Sequence, residues 1–123
     1  MNNFKTILHA TYIINDIDAS KQFYGNVLGM TLNNNRPNLA YAGLWFDVGN
    51  GQIHLLALDN PDSTTGRPEH GGRDRHVALQ VSSIKMIEKS LNLANIDFSV
   101  SKSGRKALFC RDPDGNALEF IEL

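Results

Sequence analysis

The 123-residue chain is short of several things, and each shortage narrows what it does. One cysteine, Cys110, excludes an internal disulfide and fits a reducing compartment. No stretch nears the roughly 20 apolar residues of a membrane span. The opening segment MNNFKTILHATYII lacks the apolar core and small-residue cleavage site of a secretory signal, so a cytoplasmic location is expected. Twelve Lys and Arg against 13 Asp and Glu give no broad basic face for nucleic acid and no general attraction to an acidic membrane. The Gly-containing stretches GNVLG and GNG are turn material rather than a phosphate loop. With only four prolines and ten glycines, a linker or disordered chain is also excluded.

What is present is apolar patterning sufficient for one compact domain over 1–123. ILHATYIIN reads as a strand, and DASKQFYGNVLGM as a helix with Asp18 as its N-cap and Gly29 as its stop. TLNNNRPN reads as a short strand or turn. LAYAGLWFDV and QIHLLAL then read as strands joined by GNGQ. DNPDSTTGRPEHGGRD is nearly devoid of apolar residues and is expected to be a partly mobile connector. Beyond it, RHVALQV is a strand and SSIKMIEKSLNLANI an amphipathic helix, with Ile84, Ile87, Leu91 and Ala94 on one face. DFSVSKSGR is a short strand and turn, and KALFCR and NALEFIEL form a hairpin around DPDG.

The order strand, helix, three strands therefore occurs twice. HATYII matches HVALQV, and GLWFDVGNGQIHLLAL resembles ALFCRDPDGNALEFIEL. An internal βαβββ duplication follows, over 4–58 and 75–123, with 59–74 between them. Under it His9 corresponds to His76, and His54 to Glu119. Strand alternation puts His9 with Thr11, His76 with Ala78, Gln52 with His54, and Ala117 with Glu119, opposite more uniformly apolar faces. One side of the sheet is expected to pack on helices and the other to line a partly wet cavity.

That cavity face offers His9, His54, His76 and Glu119. Three imidazoles and a carboxylate suit a divalent transition metal (Ni, Zn, Fe, Co or Mn) and suit Ca or Mg poorly. Lys102, Arg105 and Lys106 flank a nearby turn, and an inward Arg105 would hold a carboxylate or phosphate with its fixed fork. Arg73 and Arg75 raise the same possibility near His76. Trp45, Tyr41 and Thr11 are candidate cavity residues, and Lys102 a candidate substrate contact. His70 belongs to a polar loop, GRPEHGGRD, that either folds over the cavity mouth or simply connects. Cys110, beside Phe109 in an apolar strand, reads as packing rather than a nucleophile.

HATYIINDIDASKQFYGNVLGM, RHVALQVSSI and DPDGNALEFIE resemble the glyoxalase, bleomycin-resistance and extradiol-dioxygenase superfamily, the vicinal oxygen chelate proteins. The resemblance covers nearly the whole chain. It implies an α+β fold, two βαβββ modules forming an open, cup-shaped mixed sheet with helices on the outer face. It also implies metal ligands at His9, His76 and Glu119, and a homodimer whose cavities take residues from both chains. Bacterial-type glyoxalase I usually has glutamate where His54 stands. The activity implied is a metal-dependent lyase or isomerase acting through a metal-stabilised enediolate on a small oxygen-rich substrate, with Glu119 and His54 as the catalytic side chains. Behind that reading, the resemblance also admits an Fe(II) extradiol-type dioxygenase, a thiol transferase of the fosfomycin-resistance type, and a non-enzymatic sequestration protein of the bleomycin-resistance type.

Overall fold

The computed structural model describes residues 2–123. Strand β1 (His9–Ile14) leads through Asp16 into α1 (Ile17–Lys21), and β2 (Thr31–Leu32), β3 (Gly43–Val48) and β4 (Gly51–Ala57) follow. After the connector come β5 (His76–Gln80), α2 (Ile84–Leu93), β6 (Phe98–Val100), β7 (Ala107–Arg111) and β8 (Ala117–Ile121). The strands form two four-stranded mixed sheets, ordered β1-β4-β3-β2 and β5-β8-β7-β6. In each, the first strand of the repeat runs parallel to the last, and the others pair antiparallel. The architecture is the open, bipartite βαβββ arrangement expected from the repeat.

The first helix departs from expectation at its start and in the shape of its later turns, while its stop at Gly29 is as expected. Asp16, not Asp18, is its cap: its backbone is extended and its carboxylate accepts from the Ala19 amide at 3.0 Å. Asp18 instead lies in the first turn, where its charge favours the helix N-terminus. Past Lys21 the helix widens into a π-helical turn over Gln22–Val27, in which the Leu28 amide reaches the Phe23 carbonyl at 2.9 Å. Gly29 ends it at φ 78°, a left-handed conformation that a side chain resists. The second helix begins where Ser83 caps Met86, and it buries Ile84 and Leu91 as its periodicity requires.

A single apolar core spans both repeats. Ile14, Phe23, Tyr24, Phe46, Ile53 and Leu55 of the first meet Leu79, Leu91, Leu108, Leu118 and Phe120 of the second. Side chains, not strand pairing, stitch the sheets together. The Tyr12 hydroxyl donates to the Ala117 carbonyl at 2.6 Å and accepts from the Val77 amide at 3.0 Å. Burial pushes this phenol up to about 12, so it stays a donor at any ordinary pH. Tyr24 donates to the buried Asp112 at 2.8 Å, and the Asn116 amide donates to the Ile13 carbonyl at 3.0 Å.

The connector is tied down over its second half, contrary to its loose composition. Asp74 accepts from Arg67 and, at 2.7 Å, from Arg111 of β7. Arg111 also donates to the carbonyls of Gly115 and Pro68. Both arginines hold the Asp74 carboxyl well below the usual carboxylate range. The short 3₁₀ turn Gly71–Arg73 then sits against Phe109 and Ala117, where a Cβ on Gly71 would approach Ala117 to 3.3 Å.

Candidate functional site

The first repeat builds an aromatic stack. Pairing places Thr11 opposite His54 on β1 and β4, and His54 opposite Trp45 on β4 and β3. Because β4 is the middle of these three strands, its imidazole has a neighbour on either side. The His9 ring lies 3.9 Å from it at an interplanar angle of 12°, and the Trp45 ring 4.3 Å away at 6°. Burial lowers the His54 pKa, and the neighbouring His9 and Arg36 lower it further, which favours the neutral ring.

The second repeat builds a polar pair. His76 Nε2 lies 3.2 Å from Glu119 Oε1, and Arg105 donates to Glu119 Oε2 at 3.0 Å. The Glu119 side chain is only 5% exposed, although its strand neighbours Leu118 and Phe120 are core residues. Alternation explains this: β8 is buried on both faces, and Glu119 occupies the face opposite the apolar core. Phe109 packs edge-on against His76 at 5.6 Å and at a 60° tilt against His70 at 4.7 Å.

His76 is oriented by a backbone carbonyl. Its Nδ1 is 2.9 Å from the Asp74 carbonyl, which only accepts, so Nδ1 carries the proton. In the neutral ring Nε2 then presents a lone pair to a carboxylate oxygen, which also only accepts. Two acceptors at that separation call for a cation between them, either a second proton or a metal ion. A backbone carbonyl that takes one ring N–H in this way is one of the usual devices that orient a metal-binding histidine.

The four expected ligands thus fall into two pairs, His9 with His54 and His76 with Glu119. No group of three His, Cys, Asp or Glu side chains in one chain is disposed to hold an ion, among the described residues. An ion bound to an imidazole nitrogen lies in the ring plane, about 2 Å beyond the atom. Rings stacked face to face share no such point, so His9 and His54 do not both reach one ion without a ring turning.

Thr11 lines a cavity of about 240 Å³ at the seam between the repeats, with Asn60, Asp74, Arg75 and Ala117. Arg75 is paired to Asp62 at 3.0 Å, and Lys102 lies in the loop after β6. Cys110 is buried, and its thiol is pushed up to about 12, which removes it as a nucleophile. Sequence reasoning missed the Asp74 clamp, since nothing periodic links residues 67, 74 and 111. It also missed Asp47 as the partner of Gln52, a pairing that the GNG turn sets through cross-strand register.

The family model for the Glyoxalase/Bleomycin resistance protein/Dioxygenase superfamily matches residues 6–120, and the chain belongs to that superfamily. It is 32% identical to Glyoxylase I 4 of Arabidopsis thaliana, over 90% of this chain and 67% of that protein. It is 30% identical to the lactoylglutathione lyase of Haemophilus influenzae, over 94% of this chain and 91% of that protein. Among solved structures, the glyoxalase family protein from Enterococcus faecalis superposes with a TM-score of 0.71 at 27% identity, covering 97% of this chain and 98% of that one. No helix among the described residues is long and apolar enough to cross a membrane.

Proposed function

We propose that the chain is a divalent-metal-dependent lyase or isomerase of the glyoxalase type, assembled as a homodimer. The observation that carries this reading is the 3.2 Å approach of His76 Nε2 to Glu119 Oε1, with His76 Nδ1 fixed by the Asp74 carbonyl, an arrangement that a divalent transition metal would satisfy as a proton does. His76 and Glu119 of one repeat would hold the ion with His9 or His54 of the other, the second repeat's pair being completed across the two-fold of a dimer. When bound, such an ion supplies Lewis-acid polarisation of two adjacent substrate oxygens. Likeness to the Haemophilus lyase supports this class of chemistry.

The chain's own side chains account for the remaining steps. Glu119 takes the proton from one carbon of a small oxygen-rich substrate and returns it to the neighbouring carbon. The change is an internal isomerisation that needs no external oxidant. Arg105 holds Glu119 through one nitrogen and Ser103 through Nε at 3.2 Å, leaving further donors of its fork for an anionic substrate group. Lys102 adds positive charge on the same loop, while Trp45 and Thr11 supply an apolar plate and a hydroxyl on the first repeat.

Calorimetric titration of metal-stripped protein with Ni, Co, Zn and Mn tests the reading. One ion should bind per chain. His76→Ala should weaken binding by more than about tenfold, since even the partners of metal ligands are commonly worth that much. Absence of ion uptake, with tight small-molecule binding by the metal-free protein, would replace catalysis with sequestration.

A further inference from the structure

His54 is gripped by side chains that the proposed reaction leaves unused. Asp47 of β3 and Gln52 of β4 face each other across the hairpin. Asp47 Oδ1 accepts from the Asn33 side-chain amide at 2.9 Å and from Gln52 Nε2 at 3.2 Å. An ionised carboxylate only accepts, so Gln52 must turn its NH₂ group toward Asp47. Its carbonyl oxygen therefore faces the other way and lies 2.8 Å from His54 Nε2. An amide oxygen also only accepts, so Nε2 must carry the proton. Turning the ring over would aim a C–H at Gln52 and forfeit that bond. The stack of His9 and Trp45 against the two faces keeps the ring in its plane.

We propose that Asp47 and Gln52 are positioning residues. They hold His54 as the Nε2–H tautomer, with Nδ1 as its sole acceptor, and leave His9 rather than His54 as the first repeat's ligand to the ion. The second half of this statement rests on the ion-binding reading above; the first half does not. Asn33 belongs to the same device, since it fixes the carboxylate that orients the amide. The device exists because position 54 is an imidazole: a carboxylate there would have no proton for Gln52 to hold.

The test is long-range ¹H–¹⁵N correlation NMR on metal-free protein labelled at histidine, with His54 assigned by its loss in His54→Gln. The expected wild-type spectrum has a protonated Nε2 and a bare Nδ1. Gln52→Leu should give a mixture of tautomers. Asp47→Asn should keep the wild-type pattern, because an asparagine oxygen still accepts from Gln52. A mixed wild-type ring, a proton on Nδ1, or an unchanged spectrum in Gln52→Leu overturns the tautomer assignment. Cobalt titration decides the second half. His54→Gln should bind within about threefold of wild type, whereas His9→Gln should lose more than about tenfold, as removal of a ligand requires. The opposite order makes His54 the ligand and overturns that half. If even wild type takes up no cobalt, the metal-dependent reading falls together with that half, and the NMR result stands by itself.

Discussion

At the scale of residues, the His76–Glu119 contact makes a prediction of unusual sign. Glu119→Gln would place an amide where the carboxylate stands. Its NH₂ donates to the lone pair of His76, and its oxygen still accepts from Arg105. In mildly alkaline buffer the metal-free variant should be more stable than wild type by about 1 kcal/mol, the net worth of one hydrogen bond. It should also lose its affinity for divalent ions. Thermal denaturation with and without nickel reads both effects; a variant less stable than wild type in the absence of metal would show that the contact is already satisfied. Repeat equivalence and strand alternation put His9, His54, His76 and Glu119 on one side of the sheet and predicted that they gather at one ion; within one chain they divide into two pairs instead. The gap between the pairs was not legible, since alternation fixes a face but not the angle between two sheets. Nor was the stacking of His54 between His9 and Trp45, which depends on which strand lies in the middle.

At the scale of elements, the connector shows where composition misleads. Its polar residues read as a loose loop, yet Asp74, Arg67 and Arg111 bind its second half to the last hairpin. These are long-range charge contacts, and no local pattern announces them. The misplaced cap of α1 has a different origin: Asp16 and Asp18 are equally plausible caps by type, and only the extended backbone at Asp16 separates them. By contrast α2, whose apolar residues recur at helical spacing, was legible in its body and its buried Ile84 and Leu91, though it ends at Leu93 and leaves the expected face residue Ala94 as an exposed cap. The clamp also sets a pH dependence. The Asp74 carboxyl is depressed in the folded chain, so the stability it contributes is complete above the ordinary aspartate value of about 3.9 and drains away as pH falls below it toward the folded value. Asp74→Asn should remove this response. The urea midpoint of wild type should fall more steeply between pH 5 and pH 3 than that of the variant; parallel slopes would place the acid sensitivity elsewhere.

At the scale of the whole molecule, the proposed dimer would build each site from two unlike halves, one from each chain. Two inactive variants should therefore rescue one another if sites form between chains. His9→Ala damages only the first repeat's contribution and Glu119→Gln only the second's. Refolded together in equal amounts, they should regain about a quarter of wild-type ion sites, because half of the dimers are mixed and each mixed dimer has one intact pair. Equilibrium dialysis after co-refolding measures this, and no recovery would place the complete site within a single chain. The segment before β1 leaves large apolar side chains in water: Phe4, Ile7 and Leu8 are 84%, 84% and 70% exposed. The aim of His76 has its own dependence on remote structure. Its Nδ1 is anchored by the carbonyl of the very residue whose carboxylate Arg67 and Arg111 seize. The lone pair offered to Glu119 is thus steered from the far end of the last hairpin, and a neutral substitution at Arg111 would be felt as a swivelled imidazole rather than as a missing one.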